Sequence, residues 1–353
     1  MEKIKVVIVG AGGYGGCGAI ELLLGHPRAE ICALIDKEQV GHPISDLYPH
    51  LKGFCDMPIL DPRQAQCPED AQVVFFSTPD GVGQTEAGAW LEKGMKVVDY
   101  SGDFRFNDLE TYKGYAARIG RNQGHAASDL LPQSVYGLAE LHRAEIQGAN
   151  LVGNPGCFAV SCILGLSPAV KEKLVDPQTI ICDAKTGVSG AGKNPNPTFH
   201  YPARYDAMNA YKVSGHQHVY EVERELGRMA GDPVAITFTP HVVPLSRGIL
   251  TTIYARIREG VNVNTLIDAY QAFYQADRFV RVFGPETPQI STHVRGSNFC
   301  NISLNVDERT GNVIIVSLID NLVKGQAGSA VQNMNLMFGL DETEGLLHPG
   351  IYP

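Results

Sequence analysis

The chain has no run of Lys or Arg dense enough to track a phosphate backbone, and its 353 residues carry a formal net charge of -9. Nucleic acid is therefore disfavoured as a partner. No apolar stretch is long enough to span a bilayer, so no membrane partner is expected. The opening Met1-Glu2-Lys3, followed by Ile4 to Val9, is too short in its apolar part for a signal peptide and reads as a first strand. Eight cysteines (Cys17, Cys32, Cys55, Cys67, Cys157, Cys162, Cys182 and Cys300) show no repeated CxxC spacing. Neither a disulfide framework nor a zinc ribbon is indicated, and the thiols suit a reducing cytoplasm. There is no internal repeat and no low-complexity tract. What is present, 44% hydrophobic residues, 38 glycines and 19% charged residues, describes a globular chain of two domains.

Ile4 to Val9 is a branched-apolar run of the kind buried on both faces of a sheet, and a helix through Ala19 to Leu24 follows it. Strands at Glu30 to Ile35, Val73 to Phe76 and Lys96 to Tyr100, with a helix around Thr85 to Glu92, continue the alternation. The pattern predicts an α/β fold with a parallel sheet, whose ligands bind at the carboxyl ends of the strands. Beyond Cys157, a helix from Ala159 to Leu174 gives way to strands at 179–185, 235–241, 248–258, 299–306 and 313–318. That reads as an α+β second domain, and polar alternation over Thr251 to Arg258 predicts a strand covered on one face, as at subunit interfaces. A final helix, Val323 to Met337, is expected to return to the first domain. The expected division is 1–152 with 322–353 as one domain and 153–321 as the other.

Gly10-Ala11-Gly12-Gly13-Tyr14-Gly15 stands between a predicted strand and a predicted helix, the context of a dinucleotide fingerprint. Asp36, ending the second strand, is placed to bind the adenosine ribose of NAD, while Lys37 could neutralise the extra phosphate of NADP. Ser77-Thr78-Pro79 and Ser101 to Arg105 are loops at strand carboxyl ends. Cys157 follows Gly153-Asn154-Pro155-Gly156 at the start of an apolar helix, where unpaired N–H groups favour the thiolate and can stabilise an oxyanion. A free thiol with a pKa of about 8.5 is otherwise mostly protonated at neutral pH.

His216-Gln217-His218 is the second reactive feature. If extended, the segment puts both rings on one face; if Val219 to Leu226 is a helix, they lie at its start, where a proton on either ring is disfavoured. Histidine suits proton transfer at neutral pH, and two histidines without a third ligand at a familiar spacing do not indicate a metal site. Lys185 to Lys193 is a loop of glycines and hydroxyls without Walker A spacing. Arg105 and Arg247 are the candidates for an anionic substrate, through bidentate pairing.

Taken together, the glycine turn, Asp99 to Arg105, Gly153 to Cys157, Gly187 to Gly192, Gly215 to His218 and Ile319 to Gly325 resemble the N-acetyl-gamma-glutamyl-phosphate reductases, a family related to aspartate-semialdehyde dehydrogenase. The resemblance implies a Rossmann-type domain, a homodimer or homotetramer, and NADP as cofactor with NAD possible. It makes Cys157 the nucleophile, His216 the acid-base group, Ser189-Gly190 the nicotinamide-side loop and Asn321 the holder of the carboxamide. Asn154, His218, Arg105 and Arg247 would face the substrate. That family usually reads Tyr-Pro-Thr after the nucleophile, where this chain has Phe158-Ala159-Val160, and many members have Ser-Arg at Asp36-Lys37.

The reaction implied is thiolate attack on an acyl phosphate, loss of phosphate to leave a thioester, and hydride transfer to give the semialdehyde. Three other readings have their own tests. One is a sister acyl-phosphate reductase of lysine (aminoadipate) biosynthesis, another is a catalytically silent nucleotide-sensing regulator, and the third is a metal-binding protein using His216 and His218.

Overall fold

Val6 to Ile8 and Val73 to Phe76 are wholly buried, so their branched and aromatic side chains pack both faces of one sheet. The computed structural model describes residues 3–64 and 68–353. Met1, Glu2 and Cys67, which entered the sequence reading, lie outside the described residues. The chain divides into two units, Met1–Pro155 with Gln326–Leu347, and Gly156–Gly325 with His348–Pro353.

In the first unit the strands are β1 (Ile4–Val9), β2 (Ala29–Ile35), β3 (Ile59–Leu60), β4 (Val73–Phe76), β5 (Lys96–Asp99), β6 (Val135–Tyr136) and β7 (Leu151–Gly153). They form one sheet in the order β3-β2-β1-β4-β5-β7-β6, and every pairing is parallel. The α/β expectation holds. Its helices are α1 (Tyr14–Leu24), α2 (Ile44–Leu47), α3 (Gly83–Glu92), α4 (Leu109–Arg118) and α5 (Ala139–Gln147). α1 starts at Tyr14, five residues earlier than the sequence pattern suggested. The glycines that hide this start are needed there, because a Cβ at Gly16 would lie 2.4 Å from the Gly10 carbonyl oxygen.

In the second unit the helices are α6 (Cys157–Lys171), α7 (Tyr201–Arg204), α8 (Val219–Ala230) and α9 (Val263–Phe273). A mixed sheet, ordered β12-β13-β14-β11-β8-β10-β9, is built from β8 (Ile181–Thr186), β9 (Asn209–Ala210), β10 (Thr237–Val242), β11 (Ile249–Arg256), β12 (Val280–Phe283), β13 (Cys300–Asp307) and β14 (Asn312–Ile319). β11 buries Ile249, Thr251, Ile253 and Ala255 while Tyr254 and Arg256 stay exposed, the one-sided cover its alternation predicts. α6 is apolar all round and buried from Phe158 to Val170, as such a helix requires. Ser161 Oγ meets Thr251 Oγ1 at 2.8 Å. The hydroxyls of Tyr270 on α9 and of Tyr274, the residue just past its end, donate to the Gly165 and Leu164 carbonyls at 2.6 Å.

A π-helical turn, Val323–Ala327, leads into α10 (Gly328–Met337), which belongs to the first unit. Asn333 Nδ2 donates to the Gly137 carbonyl at 2.8 Å, and Asn335 Oδ1 pairs with His26 Nε2 at 2.9 Å. No helix among the described residues is long and apolar enough to cross a membrane.

Candidate active site

In the first unit, β1 ends at Gly10, whose φ of +81° is a conformation that glycine adopts readily. A Cβ there would lie 2.3 Å from the Ser77 carbonyl oxygen, and one at Gly15 would lie 2.5 Å from Ser77 Oγ. The glycine turn and the Ser77-Thr78-Pro79 loop after β4 are thus packed backbone against backbone. Gly13 precedes α1 and supplies no side-chain cap, so the first-turn N–H groups from Tyr14 onward keep their partial positive charge. Asp36 Oδ2 accepts the Gly12 N–H at 2.9 Å and its Oδ1 accepts the Glu38 N–H at 3.1 Å. Lys37 beside it is exposed. Thr78 Oγ1 is buried without a hydrogen-bond partner, a cost that a ligand hydrogen bond would remove. An uncapped helix start, a glycine turn closed to side chains and an orphaned hydroxyl fit the pyrophosphate of a dinucleotide.

Arg105 and Asn154 meet in the same unit. Arg105 is buried, its Nε donating to the Asn154 carbonyl at 2.8 Å and its Nη2 to the Tyr100 carbonyl at 2.7 Å. Asn154 is fully buried, with its Nδ2 donating to the Gln326 carbonyl at 2.9 Å and its Oδ1 accepting from Asn333 at 3.1 Å.

Cys157 is the first residue of α6, and its sulfur-bearing side chain is partly exposed. The preceding Gly156 donates its N–H to Glu221 Oε2 at 2.9 Å. Glycine is required at this position by close approach: a Cβ would lie 2.5 Å from His218 Nε2 and 2.8 Å from Glu221 Oε1. A Cβ at Gly325 would lie 2.7 Å from Cys157 Cβ, which ties the Ile319 to Gly325 motif to the thiol.

His216 and His218 lie just before α8, the second of the two arrangements the sequence allowed. Their rings are 4.7 Å apart. His216 is buried against Phe158, Phe238 and Tyr211, at ring separations of 5.4, 5.3 and 5.8 Å. Burial, then the neighbouring His218 and Lys212, pushes its pKa down to about 2, so the ring is neutral. Its Nδ1 accepts the His218 N–H at 3.3 Å, which leaves the ring proton on Nε2. Tyr211 has its hydroxyl held well above the ordinary range by burial and then by Cys157, and its ring lies 5.8 Å from that of His216.

The Ser189-Gly190 loop is held to the segment before β11. Val188 N–H donates to the Leu245 carbonyl at 2.8 Å and Ser189 N–H to the Ser246 carbonyl at 3.1 Å. Asn321 joins the two, donating from Nδ2 to Ser189 Oγ at 3.0 Å and accepting the Gly248 N–H on Oδ1 at 2.7 Å. Arg247 projects from this segment half-buried. Sequence reasoning missed Glu221, Tyr211 and Phe158. Only Glu221 left a signal, three residues after His218 in the first turn of a helix.

Two family models match, the semialdehyde dehydrogenase NAD binding domain over residues 5–149 and the semialdehyde dehydrogenase dimerisation domain over 157–321. The chain belongs to the semialdehyde dehydrogenase family. Within that family it is 44% identical over 352 residues to an N-acetyl-gamma-glutamyl-phosphate reductase of Citrifermentans bemidjiense, covering 99% of this chain and 100% of the relative. A reductase of the same name from Bacillus mycoides is 43% identical over 350 residues, with 99% and 100% covered. Among solved structures, the aspartate semialdehyde dehydrogenase II of Vibrio cholerae has the same fold, with a TM-score of 0.72 at 16% identity, covering 96% of this chain and 99% of that one. The semialdehyde dehydrogenase assignment accounts for the parallel sheet, the mixed sheet and a nicotinamide cofactor.

Proposed function

We propose that the chain reduces N-acetyl-L-glutamyl 5-phosphate to N-acetyl-L-glutamate 5-semialdehyde in arginine biosynthesis, with NADPH as reductant. The observation that carries this reading is Cys157 at the head of α6, with Glu221 on its cap, Tyr211 within its electrostatic reach and the neutral His216 packed on the adjoining Phe158. The names of the full-length relatives supply the substrate. Residues 1–152 and 322–353 are assigned to dinucleotide binding and 153–321 to catalysis and oligomerisation. The working form is a homodimer or homotetramer in the cytoplasm.

The Cys157 thiolate attacks the acyl phosphate carbon; a C–S bond forms, and the C–O bond breaks as phosphate departs with the electron pair. Backbone N–H groups at the start of α6 face the developing oxyanion. The reduced nicotinamide, when bound, is the source of hydride. Gly10, Gly12, Gly13, Tyr14 and Gly15 would hold its pyrophosphate, Ser77, Thr78 and Pro79 would flank it, and Ser189, Gly190 and Asn321 would serve the carboxamide side. Cys157 then carries a thiohemiacetal alkoxide, which the Nε2–H of His216 steadies until collapse breaks the C–S bond and restores the thiolate. Arg247, His218, Asn154 and Arg105 meet the anionic substrate, Arg105 also holding the Asn154 carbonyl. Asp36 already accepts two backbone N–H groups, so the exposed Lys37 is the better partner for a 2′-phosphate.

Steady-state assays with the acetylated glutamyl and aminoadipyl phosphates, each with NADPH and NADH, test the proposal. A higher kcat/KM for the glutamyl substrate with NADPH is expected. A preference for the longer substrate assigns the chain to the lysine route, a preference for NADH overturns the Lys37 assignment, and nucleotide binding without turnover of either substrate indicates a silent regulator.

A further inference from the structure

We propose that Cys17, Glu21 and His50 form a binding site for a borderline-soft divalent cation, zinc above all, on the flank of the glycine turn. Cys17 and Glu21 stand four residues apart on one face of α1. His50 comes from a short 3₁₀ turn, Pro49–Leu51. Glu21 Oε1 lies 2.9 Å from His50 Nε2 and 3.8 Å from Cys17 Sγ. One ligand atom from each of the three residues lies within 4.8 Å of the others. The donors of a tetrahedral zinc ion, bonded at about 2.0–2.3 Å, stand about 3.3–3.6 Å apart. The adjustment needed is therefore about 1.5 Å at most, and it falls on side chains that can rotate: His50 is 54% exposed and Glu21 37%.

The donor set decides the cation. One sulfur, one imidazole nitrogen and one carboxylate oxygen select zinc over magnesium or calcium, which prefer oxygen alone. Three protein donors leave a fourth position for water, the pattern of an open zinc site. Binding releases the Cys17 thiol proton to solvent and leaves a thiolate on the metal. Tyr48, two residues before His50, donates its hydroxyl to the Gly12 carbonyl at 2.8 Å. A cation there would pin the Pro49–Leu51 turn to α1 next to the residue that braces Gly12. No familiar spacing joins positions 17, 21 and 50, so the sequence gives no metal signature.

The test uses the full chain carrying Cys157→Ala, which removes a competing reactive thiol. Zinc is titrated against a fluorescent indicator at neutral pH, and cobalt(II) is used to read thiolate ligation by its near-ultraviolet charge-transfer band. The expected result is one zinc per chain, weakened at least about tenfold by adding either Cys17→Ala or His50→Ala, since each removes a ligand. The cobalt band should vanish with Cys17→Ala. His42→Ala, at another exposed histidine, should leave the affinity unchanged. Because His50 is a surface residue, its variant keeps the test decisive even if Cys17→Ala folds poorly. No stoichiometric binding by the parent, or binding that survives both ligand variants unchanged, overturns the proposal.

Discussion

Gly156→Ala isolates the geometry around the thiol from every other property of that position. The backbone there, φ -73° and ψ 142°, is one that alanine adopts freely, so the substitution introduces no torsional strain. The new Cβ would lie 2.5 Å from His218 Nε2 and 2.8 Å from Glu221 Oε1. Ordinary carbon contacts need about 3.5 Å, so the imidazole must retreat by about 1 Å. His218 is hemmed by His216 at 4.7 Å and by Phe158 at 6.1 Å, and the retreat therefore presses on the His216 ring. Overpacking costs about 1–3 kcal/mol, and the reduced freedom of the unfolded chain returns about 0.4–1 kcal/mol, for a net loss of up to about 2.6 kcal/mol in stability. A displacement of about 1 Å in a catalytic constellation lowers the rate on the order of a hundredfold. Steady-state kinetics and urea unfolding read the two effects, with nucleotide affinity unchanged. Gly88→Ala in α3 is the control, since its Cβ meets only Leu130 Cδ1 at 3.9 Å. A Gly156→Ala protein with the parent's kcat and stability would falsify the crowding argument.

Three more outcomes are expected. Cys157→Ser should abolish turnover while leaving nucleotide binding intact, because an alcohol is a far poorer nucleophile of nearly the same size; near-normal rates in stopped flow would refute the thioester. The neutral, buried His216 should contribute no acid limb to kcat/KM near the ordinary histidine value of about 6.5, and a limb there that disappears with His216→Asn would contradict its burial. Asp99 is wholly buried, and burial, followed by the charge of Asp103, raises its carboxyl well above the ordinary range. Its contribution to stability is full at low pH, where both states are protonated, and is lost as pH rises through the raised folded value. Asp99→Asn should flatten this slope in urea midpoints measured across pH, and an unchanged slope would reassign it.

The long strands were legible because branched apolar runs such as Ile4 to Val9 and Val73 to Phe76 carry their burial in their composition. The two-residue strands β3, β6 and β9 were not, since two residues hold no periodicity and owe their pairing to neighbours distant in the chain. β12 has four residues and escaped notice for a related reason, its half-buried pattern showing no clean alternation. Cys157 could be read from its turn-to-helix context, but Tyr211 could not, because only the tertiary fold brings it to residues 157 and 216. Arg105 adds what charge alone does not show: the folded chain fixes its guanidinium on two backbone carbonyls.

Asn321 bridges Ser189 and Gly248 through opposite ends of one amide. The glycine-rich stretch around Ser189 is thus tied to the backbone at Gly248 by a single side chain. A partner arriving there need not sacrifice affinity to freeze it, and trimming residue 321 to alanine would return that entropic burden to the moment of association.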